Sequence, residues 1–258
     1  MTLTVARQMI GAEILKVRRN RSIMAFALLL TVGVVVLFYG YDAIQHASNP
    51  LHNGPAGGMD GFRHGVQALG IFFGMLAAAL IGSEVGTADV SSGVFRDLVA
   101  TGRSRLALFA VRLPAAAIVT LCLSAAAYAL VLLATFVFAG GSATPSIGLI
   151  LRSAGWIALA NVTVVALAVG VGSVAGSRAL ALTAVIGWQA IVTNLLVNVK
   201  SLGSVRDVLL TPALDQLVPV KNGHADVVMA AGIAVIVICA WLVIPQTLGA
   251  WRTRARDA

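Results

Sequence analysis

The chain has 258 residues, of which 59% are hydrophobic and only 11% are charged. A soluble globular domain carries about 25% charged residues, so this composition excludes a surface that faces water throughout and indicates an integral membrane protein. Lysine and arginine exceed the acidic residues and give a net charge of +8. The aromatic residues lie mostly in apolar runs rather than among basic ones, so we expect a lipid bilayer and no nucleic acid as partner.

Six stretches are apolar over about 20 residues, the length that a helix needs to cross the hydrocarbon core. The first begins only at Ser22 and is longer than the apolar core of a signal peptide. The sequence therefore predicts an all-α fold in which residues 1–258 form one transmembrane domain. The predicted spans are residues 22–41, 65–83, 113–139, 154–176, 179–199 and 227–244.

The basic residues are divided unequally between the two sides of these spans. With a cytoplasmic N-terminus, 13 of the lysines and arginines lie on the cytoplasmic side and 5 on the other. Positive residues favour the cytoplasmic side of membrane proteins. The sequence therefore predicts a multi-pass topology with both termini in the cytoplasm.

The segments outside the spans also carry patterns. Residues 1–21 have apolar side chains at helical spacing and predict an amphipathic helix at the cytoplasmic membrane surface. The outer segment 200–226 is too apolar for a solvated loop and is interrupted by Pro212 and Pro219. It predicts short helices that either enter the outer leaflet or pack on the bundle.

Residues 84–112 connect the second and third predicted spans on the cytoplasmic side. Ser91 or Ser92 can cap a short helix there, and Gly102 can end it. One interpretation is a coupling helix that docks into a groove on a soluble partner. The other is a solvated connector whose arginines only follow the positive-inside rule. The apolar side of this helix would carry Val94, Phe95, Leu98 and Val99, and its charged rim Arg96, Asp97, Arg103 and Arg105.

This connector resembles the region after the second span in ABC exporter permeases of the ABC-two superfamily. Those permeases typically have an acidic residue, then Gly-Thr-x-Arg-x-Leu-Leu after a short spacer, then an ending like Pro-x-Ser-Arg. Val94 and Gly102 stand where threonine and proline are common in the family. The residues that match are Asp89, Gly93, Arg96, Ser104 and Arg105.

The resemblance extends to both ends of the chain and implies a permease that lacks its own motor. Residues 12–19 resemble the family's Glu-x-x-Lys-x-x-Arg opening, and residues 251–257 its Arg-x-Arg-Asp ending. The family places such subunits in the bacterial cytoplasmic membrane as homo- or heterodimers with two separate ATPase subunits. The cargo would be a hydrophobic or amphipathic compound. The residues expected to couple the permease to the ATPase are Glu84, Asp89, Gly93, Phe95, Arg96, Leu98, Arg103 and Arg105.

The residues independently predict no ATP site in this chain. A phosphate-binding loop needs Gly-x-x-x-x-Gly-Lys-Ser/Thr, and no lysine here follows a glycine. We therefore expect no catalytic residue and no cofactor in this chain, with ATP and Mg²⁺ on the partner ATPase.

Polar and small residues inside the predicted spans leave two interpretations each. Asn161, Gln189, Thr193, Asn194 and Asn198 could line a substrate path or join helices by hydrogen bonds. The small residues Gly70, Gly74 and Ala78 recur every four positions, and they could form a dimer seam or pack within one subunit.

Other functional classes have less support. No acidic residue lies deep in a predicted span, which disfavours a proton- or sodium-coupled carrier without excluding carbonyl coordination of sodium. Cys122 and Cys239 lie in apolar stretches without metal-ligand spacing and are expected to be buried. The four histidines lie in predicted outer loops, so no metal site is predicted. The alternatives to an exporter are a secondary transporter or channel without an ATPase, and a non-transporting structural or immunity-type membrane protein. The histidines are His46, His52, His64 and His224.

Overall fold

The computed structural model describes residues 3–100, 102, 104–221, 227 and 229–255, except for the side chains of Phe95, Arg96 and Leu98. These residues form helices and turns, with no strand among them. Six helices are long and apolar enough to cross a membrane, which confirms the all-α class and the multi-pass architecture. The helices are α1 (Leu3–Arg19), α2 (Arg21–Ser48), α3 (Gly58–Ser91), α4 (Val94–Ala100), α5 (Arg105–Val137), α6 (Ile147–Ala175), α7 (Arg178–Asn198), α8 (Leu210–Gln216) and α9 (Ala231–Ala255), with a 3₁₀ segment at Lys200–Val208.

Several membrane helices extend beyond their apolar cores. α2 continues to Ser48 and α3 begins at Gly58, so His46 and His64 lie on helices rather than in loops as expected. α9 begins at Ala231, later than the predicted start at residue 227, and continues to Ala255. Apolar length marks only the part of a helix that lipid requires, because backbone hydrogen bonding continues until a cap or glycine stops it.

Local capping explains where these helices begin and end. The Ser104 and Ser146 side chains accept hydrogen bonds from the backbone N–H groups of Ala107 at 3.2 Å and Leu149 at 3.3 Å. These bonds satisfy donors that the first helical turn leaves unpaired. α6 ends at Gly176, whose φ of 69° is left-handed. That conformation suits a residue without a Cβ.

Helices α3 and α6 form the centre of the bundle. Of the most apolar 18 residues, 61% are buried in α3 and 72% in α6. A Cβ on Gly82 would stand 2.9 Å from the Val165 carbonyl oxygen, and one on Gly86 would stand 2.8 Å from that of Val169. Glycine at these positions therefore allows the two backbones to approach closely.

Helices α2, α7 and α9 lie at the periphery, where 28%, 17% and 22% of the corresponding residues are buried. Their exposed side chains are largely apolar, as a lipid-facing surface requires. Cys122 on α5 and Cys239 on α9 are also exposed, so the expectation that they are buried was wrong. An apolar residue of a membrane helix need not be buried in the protein, because the lipid around the helix is itself apolar.

The two ends of the bundle differ in composition. One end, here called the basic end, gathers α1, α4 and the adjoining ends of α3, α5, α6, α7 and α9. The opposite end, here called the loop end, carries the connections 49–57 and 138–146 and the described residues 199–221. At the loop end α8 packs on the bundle, since Leu210 and Leu214 are fully buried and the Trp156 indole donates to the Leu214 carbonyl oxygen at 2.9 Å.

Candidate functional site

The connector between α3 and α5 is a short helix bounded by two glycine turns. Gly93, with a φ of 75°, precedes α4, and Gly102, with a φ of 82°, follows it. A Cβ at either position would be strained by this backbone conformation, so glycine is required by geometry. Val94 is 41% exposed and Asp97 is also exposed. α4 therefore presents an accessible surface at the basic end.

Asp89, in the last turn of α3, anchors the root of this connector. Its side chain is almost fully buried. One carboxylate oxygen accepts a hydrogen bond from Lys16 Nζ of α1 at 2.7 Å, and the other lies 3.5 Å from Nη2 of Arg112 on α5. Three helices that are distant in sequence are thereby joined through one carboxylate.

Arg112 extends the same contacts to α6. It is 1% exposed, and its Nη1 donates to Ser173 Oγ at 3.2 Å and to the Gly86 carbonyl oxygen at 3.4 Å. Ser173 Oγ also donates to that carbonyl at 3.3 Å. We call the group formed by Glu13, Lys16, Asp89, Arg112 and Ser173 the basic-end network.

The titration of the α1 members reflects this burial. Burial and, next, the charge of Asp89 raise the pKa of Glu13 above its usual 4.5, against the opposing effect of Lys16, which lies 2.6 Å away. Burial lowers the pKa of Lys16, but its hydrogen bonds and ion pairs with Asp89 and Glu13 outweigh burial and hold that pKa above 10.5. Lys16 is therefore charged at neutral pH, and the raised pKa of Glu13 means that its ionisation is disfavoured relative to that of a free glutamate.

Glu84 makes a second link earlier on α3. Its carboxylate accepts from Asn20 Nδ2 at 2.9 Å and lies 3.1 Å from Arg178 Nη1 at the start of α7. Glu84 and Asp89 are thus both engaged within the chain. A role in coupling would consist in holding the connector in place, because neither carboxylate is free to bind a partner.

The remaining predicted coupling residues divide between described and undescribed positions. Arg105 donates from Nη1 to the Arg254 carbonyl oxygen at 3.3 Å, so it joins the start of α5 to the last turn of α9. Arg103 lies outside the described residues, as do the side chains of Phe95, Arg96 and Leu98. Sequence patterns identified Asp89 but missed its pairing with Arg112, because these two residues stand on different helices.

The polar residues predicted inside the membrane have different surroundings. Asn161 is fully buried and donates from Nδ2 to Ser124 Oγ at 3.0 Å and to the Leu69 carbonyl oxygen at 3.4 Å, which joins α6 to α5 and α3. The side chains of Thr193, Asn194 and Asn198 instead bond to carbonyl oxygens of their own helix. These bonds are Thr193 to Trp188 at 2.9 Å, Asn194 to Ala190 at 2.8 Å and Asn198 to Asn194 at 2.7 Å.

Gln189 and Asn194 line a cleft of about 170 Å³ between α3, α6, α7 and α8. Both polar atoms of the Gln189 side chain are shielded and have no hydrogen-bond partner among the described residues. These two residues therefore face an open space, and Thr193 lines a smaller one of about 50 Å³. Asn161 instead holds helices together. A substrate path through this cleft stays a prediction.

The small residues of α3 pack against other parts of the same chain, as the second of their two interpretations expects, and a role in a dimer seam stays a prediction. A Cβ on Gly70 would collide with the Trp156 ring of α6, and one on Gly74 would stand 3.0 Å from Asn161 Oδ1. Ala78 is fully buried. The four-residue repeat indicated a close helix contact, but the spacing alone does not tell which helix makes it.

Within the described residues, no three histidine, cysteine or acidic side chains come together as a metal site would require. The fold and this network define a multi-pass, all-α membrane protein with an ion-paired root beneath an exposed connector. No protein-family model matches the chain, and no curated protein matches it.

Proposed function

We propose that this chain is the transmembrane permease subunit of an ABC exporter of the ABC-two superfamily. It would lie in a bacterial cytoplasmic membrane with both termini in the cytoplasm. ATP hydrolysed with Mg²⁺ by a separate ATPase subunit would drive a hydrophobic or amphipathic compound across the bilayer. The observation that carries the proposal is α4, an exposed helix between two glycine turns whose root is ion-paired and hydrogen-bonded to three other helices.

The cost of burying charge argues that this root has a role beyond reversing the chain. Taking Asp89 and Arg112 out of water costs several kcal/mol per ion before their mutual attraction returns part of it. A connector that only joined two spans would need no such pair. A connector that transmits a push from a motor needs a stiff root, and a network spanning α1, α3, α5 and α6 provides one.

A second permease subunit would contact the peripheral surface of the bundle. The small residues of α3 are already covered by α6. The exposed apolar faces of α2, α5, α7 and α9 are available to a partner chain or lipid. Homodimer and heterodimer are both compatible with these faces.

The first test is purification of the tagged chain from its native membranes in mild detergent, with mass spectrometry of the chains that remain bound. A stoichiometric subunit that carries a phosphate-binding loop is the expected result. A dimer without any ATPase, found again after crosslinking in intact cells, would refute the exporter proposal. It would favour a carrier, a channel or a structural membrane protein.

The second test determines which part of the chain contacts the ATPase. In a Cys122→Ala, Cys239→Ala background, Asp97→Cys puts a single thiol on α4, and Ser142→Cys puts one on the exposed loop end. We expect a bifunctional thiol reagent to join the ATPase to position 97 and not to position 142. Co-purification of the ATPase with crosslinking at position 142 alone would show that α4 is not the coupling helix.

A further inference from the structure

A second cleft, separate from the one lined by Gln189, lies between α2 and α3 in the half of the bundle nearer the loop end. Its volume is about 350 Å³. Its walls are mainly apolar, and the rings of Phe38 and Phe73 meet edge to face across it with centroids 6.2 Å apart. The cleft therefore offers an apolar, partly aromatic space between two membrane helices.

This cleft adjoins a more polar and more open space of about 580 Å³, and Asp42, Gly61 and His64 line both. Asp42 follows Phe38 by one helical turn on α2, so the two side chains lie on one helix face. An apolar compartment thus lies next to a polar one, and the Asp42 carboxylate lines both.

Among the described residues, the titratable side chains other than Tyr39 and Tyr41 that line the two spaces are two histidines and two acidic residues: His52, His64, Asp42 and Asp60. Asp42 and Asp60 are among the lining residues of the two spaces, and no lysine or arginine of the described chain lines either. The nearby cation, Arg63, pairs with Asp60 at 3.4 Å. No described residue forms a hydrogen bond or ion pair with the half-buried Asp42, so its charge is not neutralised within that part of the chain. The phenol of the neighbouring Tyr39 instead donates to the Gly61 carbonyl oxygen at 2.7 Å.

We propose that this cleft binds a lipophilic cation, with its apolar body between α2 and α3 and its charge beside Asp42. The carboxylate attracts positive charge strongly next to an apolar wall, and the aromatic faces add to that attraction. An acyl chain of a lipid would fill the apolar walls but would leave Asp42 without a counter-charge. The site does not depend on the ATPase partner and goes beyond the proposed function.

The test uses two probes of matched shape and opposite charge, tetraphenylphosphonium and tetraphenylborate. Equilibrium binding of each is measured on the purified chain in lipid nanodiscs, with empty nanodiscs to subtract partition into the bilayer. We expect saturable binding of tetraphenylphosphonium at one site per chain and none of tetraphenylborate.

The variants separate charge from shape. Asp42→Asn should weaken tetraphenylphosphonium binding at least about tenfold, since it removes a charge from a partly desolvated site. Asp42→Glu should retain binding. Asp60→Asn tests the second acidic residue of these spaces, whose side chain is 81% exposed and pairs with Arg63. Screening by water should keep its effect on affinity below about threefold. Ala68→Leu adds a larger side chain to the wall, which narrows the cleft without altering its charge, and should weaken binding.

Three results would overturn the inference: no saturable cation binding above empty nanodiscs, equal binding of the two probes, or unchanged affinity in Asp42→Asn. Equal affinity for tetraphenylphosphonium and tetraphenylborate would favour an acyl chain as the occupant of the cleft. If the chain binds the cation selectively but no ATPase co-purifies with it, the cation site is supported and the exporter proposal is refuted. If an ATPase co-purifies but the complex does not bind the cation, the exporter proposal is supported and the cation site is refuted.

Discussion

Helix α3 makes two contacts of opposite kind within about two turns of each other. At Gly82 and Gly86 it meets α6 through close backbone packing, where nothing larger than hydrogen fits. At Asp89 it meets α1 and α5 through ion pairs that need charges of both signs. The first contact is sensitive to volume and insensitive to pH, whereas the second is sensitive to charge. One helix is thus fixed by packing in the membrane and by electrostatics at the basic end.

The largest effect is expected from removing the shared carboxylate. Asp89→Asn removes the carboxylate charge beside the buried Arg112 and one of the two carboxylate charges beside Lys16. We therefore expect the free energy of unfolding to fall by about 4 kcal/mol. Replacing the buried pair together, as Asp89→Leu with Arg112→Met, should recover most of this loss, since apolar side chains of similar size tolerate burial. Unfolding titrations of the detergent-solubilised variants would measure both values. Equal losses in the single and double variants would contradict the pairing.

The next effect tests the packing contact. Gly86→Ala places a Cβ 2.8 Å from the Val169 carbonyl oxygen and forces α3 and α6 apart. We expect this overpacking to lower the free energy of unfolding by about 2 kcal/mol. Gly155→Ala, on α6, has open space around the new Cβ and is the control. Its stability should be unchanged or slightly higher, because alanine is the better helix former.

The loss at Gly86 should not depend on pH near neutrality, because no titrating group is altered. Unfolding titrations of both variants at several pH values would measure it. A matching loss at Gly155, where the new Cβ has open space, would mean that close packing of α3 against α6 is not the cause.

A smaller effect is expected at Lys16, whose side chain is 40% exposed. Lys16→Met should cost about 1 kcal/mol at neutral pH. Because the folded-state pKa of Lys16 is raised, its stabilisation is fully present below its unfolded value of 10.5 and is lost as pH rises through the folded value. The difference in unfolding free energy between wild type and Lys16→Met should therefore shrink above pH 10.5. A difference that stays constant there would show that the methylene stem, rather than the charge, makes the contact.

The smallest effect is expected at Glu13, the other carboxylate of the network. Because its pKa is raised, its contribution is fully present below pH 4.5 and is lost as pH rises through the folded value, so its ionisation at neutral pH disfavours the folded state. Glu13→Gln should change stability by less than about 0.5 kcal/mol, and any change should be favourable. The comparison with Asp89→Asn, measured in parallel, isolates which carboxylate holds Lys16. A large loss in Glu13→Gln would reverse that assignment.

The local features of the connector could be predicted from the sequence, whereas its contacts with other helices could not. Gly102 was expected as the end of a short helix, and both it and Gly93 have the left-handed φ that only glycine adopts freely. Ser104 caps the following helix. These features depend on a few neighbouring residues, so a pattern along the chain contains them. The engagement of Glu84 with Asn20 and Arg178 could not be predicted, because its partners lie 64 and 94 positions away in the chain.

By itself, the sequence determined the helical class and the six spans, because bilayer thickness converts directly into a length of apolar residues that each span must satisfy alone. Only the tertiary structure decided which surfaces are used. It placed Gly70 against Trp156 and Asp89 between Lys16 and Arg112, and it left Asp42 beside an apolar cleft. Those outcomes depend on how helices distant in sequence cross, and lipid-facing and helix-facing residues are equally apolar in composition. Charged and small side chains make these contacts only once the helices have packed.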